Sequence, residues 1–132
     1  MRATNLNAMV QVDISQLSAE CNAWRQQLRN LRDEFTKNET RLQQAVSGPL
    51  RKEQFQEVEH LHNQFHIQLI NIHDLKQAIK SHDRRMSFER AAFNGSVNED
   101  SLTRHETLLL EFQSLQNTLE QLRFNFNDFL SS

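Results

Sequence analysis

Apolar residues recur at alternating steps of three and four along three stretches of this chain, and that spacing constrains its fold more than any other feature. Ile14, Leu17, Cys21, Trp24, Leu28, Leu31 and Phe35 keep the rhythm in the first stretch, and Leu42 and Val46 resume it after a polar Asn38. Phe55, Val58, Leu61, Phe65, Leu69, Ile72, Leu75, Ile79 and Met86 form the second stripe, which is wider than the first. Leu108, Phe112, Leu115, Leu119, Leu122, Phe126 and Phe129 form the third. Such steps lay one apolar seam along each helix, as in helices that pack side by side. The expected fold class is therefore all-α: an elongated antiparallel three-helix bundle with coiled-coil-like heptad packing.

The punctuation between the stripes fits this reading. Ser47-Gly48-Pro49 combines a residue suited to the left-handed position after a helix with one suited to the first turn of the next. So short a connection folds the second helix back against the first. Asn94-Gly95 marks a second turn, and Ser96 or Asn98 can cap the helix that follows. The helices are expected over about 13–46, 50–92 and 98–131, each roughly 45–60 Å long. Residues 1–12 show no period and read as an irregular N-terminal arm. Asn38 has two readings, a frayed, solvated end of the seam or a buried polar group that fixes register.

Composition excludes several functions. Two glycines, one proline and no tyrosine leave little material for the turns of an all-β fold. A net charge of −2 with no basic stripe argues against nucleic acid or an anionic membrane as partner. No apolar run approaches the roughly 20 residues that span a bilayer, and the first residues lack a secretory leader pattern, so no membrane insertion and a cytoplasmic address are expected. With Cys21 as the sole cysteine, no intrachain disulfide can form, and its seam position reads as a buried thiol. Gly48 and Gly95 each serve a turn, so no phosphate loop exists, and no nucleophile–base set is visible. Trp24, on the seam, reads as core. The expectation is a non-enzymatic protein with no catalytic residues and no cofactor.

Two surface features call for comment. Ile67 and Ile70 in the second helix, and Leu109, Leu110 and Phe124 in the third, fall off their seams by a helical-wheel reading. Apolar residues gathered on two of three helices imply a further contact surface, and the leading expectation is a homodimer that meets through those faces. The first helix instead has a polar back of Arg25, Gln26, Gln27, Arg29 and Asn30. The second feature is the histidines. His62, His66 and His73 lie along one flank of the second helix with Glu59 nearby, and Glu59 to His62 has the Glu-x-x-His spacing of carboxylate-bridged metal bundles. That chemistry needs a second such motif and further inward carboxylates, which the other helices do not supply. A metal-binding bundle using Glu59, His62, His66 and His73 is thus the alternative expectation, and a small-ligand sensor with an interhelical pocket is a third.

The block from Glu57 to Gln68, the stretch Ile72 to His82, Trp24 with Leu28, Leu31 and Phe35, and the closing Phe126 to Leu130 together resemble a group of small, uncharacterised all-helical proteins of Bacteroidetes bacteria. The resemblance implies a bacterial cytoplasmic setting and carries over no functional residue. Spectrin-type repeats are similar in architecture, three helices with a Trp in the first, and fold analogy alone does not give function.

Overall fold

A computed structural model describes residues 8–46 and 48–132. In chain order the elements are β1 (Met9–Gln11), α1 (Ile14–Ala45), α2 (Lys52–Ala92), β2 (Ser96–Asn98) and α3 (Glu99–Ser131). The three helices pack as an antiparallel all-α bundle, as the seam spacing requires. α2 lies against both neighbours, while the backbones of α1 and α3 stand further apart and meet through long side chains.

Each helix end has a local cause. Asp13 caps α1 by accepting from the Gln16 amide at 3.2 Å. Gly48 takes the left-handed conformation, φ 94°, between α1 and α2. Gln54 reaches back to accept from the Arg51 amide at 3.1 Å, which starts α2. At the other end of α2, Asn94 and Gly95 both have positive φ, and the Gly95 amide donates to the Arg90 carbonyl at 2.9 Å. This six-to-one bond closes the helix in the Schellman manner. Asn98 then caps α3 through the Asp100 amide at 2.8 Å.

The buried set follows the seams: Cys21, Trp24, Leu28, Phe35 and Leu42 from α1, Leu61, Phe65, Ile72, Ile79 and Met86 from α2, and Leu108, Phe112, Leu119, Leu122 and Phe126 from α3. Near the α1–α2 connection the core is aromatic. Phe65 stands between Phe35 and Phe126, with centroids at 5.9 and 5.2 Å and an edge-on contact to Phe126. Arg123 spans the wider α1–α3 side, donating twice to the Glu34 carboxylate at 2.5 and 2.7 Å while lying over the Phe35 ring.

Three details differ from the sequence-based expectation. The arm expected to be irregular over 1–12 includes a strand: β1 pairs antiparallel with β2, Val10 opposite Val97, and Gln11 donates to the Ser96 hydroxyl at 3.0 Å. Residues 1–7 of that arm lie outside the described residues, as does Ser47 of the expected turn. Phe55, assigned to the α2 seam, is 58% exposed because it sits in the first turn of α2, level with the end of α1, where the seam runs out. Asn38 is buried, which removes the frayed reading, and its side-chain oxygen accepts from Arg41 of its own helix at 3.2 Å. Its polar group is thus satisfied locally rather than across a helix pair.

Candidate functional site

Glu59, His62, His66 and His73 are all exposed on α2. His62 faces the Glu39 carboxylate of α1 at 3.8 Å, and none of the four belongs to a metal-type grouping among the described residues. The structure gathers three other side chains instead. Cys21, His82 and His105 come from α1, α2 and α3 respectively, all are buried, and one ligand-type atom from each lies within 4.8 Å of the other two.

Each occupies a seam position. Cys21 is followed by Trp24, His82 falls between Ile79 and Met86, and His105 precedes Leu108 and Phe112 at three-four spacing. Heptad packing therefore turns all three inward at one level of the bundle. That level lies on the wider α1–α3 side, which Trp24 fills, its ring 4.8 Å from His105 and 6.1 Å from Phe112. His82 and His105 could have been found from the sequence by extending the apolar stripes through polar residues. A Glu-x-x-His spacing lies within one helix, whereas these two histidines come from different helices.

His82 Nε2 and His105 Nδ1 are 3.0 Å apart, so one nitrogen carries the proton and the other accepts it. Cys21 Sγ approaches the same Nδ1 at 3.9 Å. With Nδ1 as the shared acceptor, the His105 proton resides on Nε2, which faces the Glu20 carboxylate at 3.7 Å. Burial, then the adjacent His105 and Arg104, hold His82 down at about 4, so its ring is neutral at neutral pH. Burial also pushes the Cys21 thiol up to about 12, reinforced by Asp83 and Glu20. A nucleophilic thiolate is therefore disfavoured here, while two imidazole nitrogens and a thiol sulfur converge at one level of the bundle. Around them His82 Nδ1, His105 Nε2, Asp83 Oδ1 and Arg25 Nε are buried without a hydrogen-bond partner among the described residues.

No family model, no curated protein and no solved structure matches this chain.

The outer surface holds the second set of candidates. Ile67 and Ile70 on α2 are 45% and 48% exposed, and Leu110 and Phe124 on α3 are 65% and 67% exposed. Leu109 is half-buried and packs against the core, so it does not share their face. Phe88 of α2, which lies off the seam, is 69% exposed. Ile70 and Phe88 are eighteen residues apart, five whole turns at about 3.6 residues each, so they fall on one line with Ile67 beside it. Between α2 and α3 runs an open groove of about 530 Å³, lined by Gln68, Asn71, Leu75, Ala78, Ser114 and Leu115. Among the described residues, no helix is long and apolar enough to cross a membrane.

Proposed function

We propose that this chain is a non-enzymatic interaction protein, a helical rod that acts as a homodimer in the cytoplasm. The observation that carries the reading is the line of exposed apolar side chains on the outer face of α2, formed by Ile67, Ile70 and Phe88. A second copy is the occupant that this line fits. Antiparallel pairing of two α2 helices centred near Gln77 sets Ile67 of each copy against Phe88 of the other. The same register brings Asp74 of each within a helical turn of Arg84 of the other, so an opposite-charge pair flanks the Ile67–Phe88 contacts. Leu110 and Phe124 on α3 extend the apolar surface beyond that line, and they are the residues through which further copies or a protein partner would attach.

Light scattering on Ile67→Glu/Phe88→Glu tests the interface. The charges replace exposed side chains, so helicity by circular dichroism should be unchanged while the particle mass falls to that of one chain. Retention of the dimer mass in this variant would remove the α2 face from the account.

A further inference from the structure

We propose that Cys21, His82 and His105 form a binding site for a zinc-like divalent transition-metal ion, held at the point where the three helices meet. Three donors converge from three different elements, and each residue is more than nine-tenths buried. Tetrahedral zinc, at about 2.0–2.1 Å from nitrogen and about 2.3 Å from sulfur, requires nitrogens about 3.3 Å apart and sulfur about 3.6 Å from nitrogen. The His82–His105 separation of 3.0 Å and the Cys21–His105 separation of 3.9 Å each lie within a few tenths of an ångström of those edges. The third edge, between Cys21 and His82, lies within 4.8 Å, so rotamer adjustment must draw that pair together to about 3.6 Å to seat an ion.

The surroundings match the needs of such an ion. A metal-bound imidazole typically donates its other N–H to a carboxylate or carbonyl, which fixes the ring. His105 Nε2 already faces the Glu20 carboxylate at 3.7 Å. The far nitrogen of His82, Nδ1, is buried and without a partner among the described residues, as is Asp83 Oδ1. A divalent ion with one thiolate leaves a single positive charge, and Glu20 and Asp83 supply negative charge close by, both acting on Cys21.

Binding forms one metal–sulfur and two metal–nitrogen bonds. The Cys21 S–H bond breaks, and its proton leaves to solvent. The proton that His82 Nε2 shares with His105 Nδ1 shifts to His82 Nδ1 as the metal takes its place, so each neutral ring then carries its one proton on its far nitrogen. No electron is transferred. Three protein ligands leave a fourth tetrahedral position for water or another small ligand, the arrangement of a zinc ion that is not fully enclosed by protein.

The test uses the full chain, purified without a histidine tag and stripped of metal by a chelator. Titration with Co(II) should give one ion per chain, with the thiolate-to-cobalt charge-transfer band and the strong visible bands of a tetrahedral site, and Zn(II) should displace it. Cys21→Ser should abolish the charge-transfer band, and His82→Gln should weaken binding by roughly a hundredfold or more, the upper end of what losing even an outer partner of a metal ligand does. His62→Gln/His66→Gln/His73→Gln should leave both signals unchanged. Should a site variant unfold, the wild-type chain still decides: zinc must raise its melting temperature and protect Cys21 from alkylation in mild denaturant. Absence of stoichiometric cobalt with no thermal shift would overturn the proposal. So would binding that survives Cys21→Ser but is lost in the triple variant.

Discussion

At the scale of single residues, the bundle combines ordinary apolar packing with a few polar groups held under strict conditions. Phe65 is fully buried between two aromatic partners, so Phe65→Ala removes a large side chain that its neighbours cannot replace. It should destabilise the fold by about 3–5 kcal/mol, read from the midpoint of chemical denaturation. His82 makes stability depend on pH in a defined direction. Its unfolded value of 6.5 lies above the folded value of about 4, so the unfolded chain binds the extra proton between these limits. The metal-free protein should hold its full stability above about pH 6.5 and lose on the order of 3 kcal/mol as pH falls towards 4. Denaturation curves across that window check this, and His82→Gln should flatten the slope. A slope that persists in the variant would assign the effect to other groups.

At the scale of elements, the buried Glu89 carboxylate near the end of α2 organises the start of α3. It accepts from the Ser101 hydroxyl and from the Asn98 amide, so one side chain links two helices across the β1–β2 ladder. Glu89→Ala leaves those donors unpaired in a buried setting and should cost about 2–3 kcal/mol. Loss of amide protection in hydrogen exchange should concentrate at the first turn of α3 and at β2. The helices themselves were legible because long amphipathic periods dominate local sequence. The expected spans 13–46, 50–92 and 98–131 lie within about two residues of the observed ends. The ladder was not legible, since three residues such as Met9-Val10-Gln11 carry no readable period and are defined only by the distant partner they meet. Phe55 misled for a related reason: periodicity places a residue on a face but does not say whether a neighbouring helix extends far enough to cover it. The Cys21, His82 and His105 cluster was half-visible. Cys21 stood on its stripe, but the two histidines interrupt apolar seams, and only the packing of three helices shows that they meet.

At the scale of the whole molecule, a three-helix rod buries one seam per helix and leaves the backs to solvent. In α1 that back is polar, whereas α2 and α3 expose Ile67, Ile70, Phe88, Leu110 and Phe124. The groove between α2 and α3 is open to solvent and lined by both polar and apolar groups. The proposed assembly and the proposed metal site in the Cys–His cluster are separable, since one would use the outer face of α2 and the other the interior. Self-association is read most directly from the mass of the wild-type particle. Sedimentation equilibrium across the micromolar range should return twice the chain mass of 15.6 kDa, falling towards one chain only on dilution. A mass of one chain throughout that range would rule out the dimer.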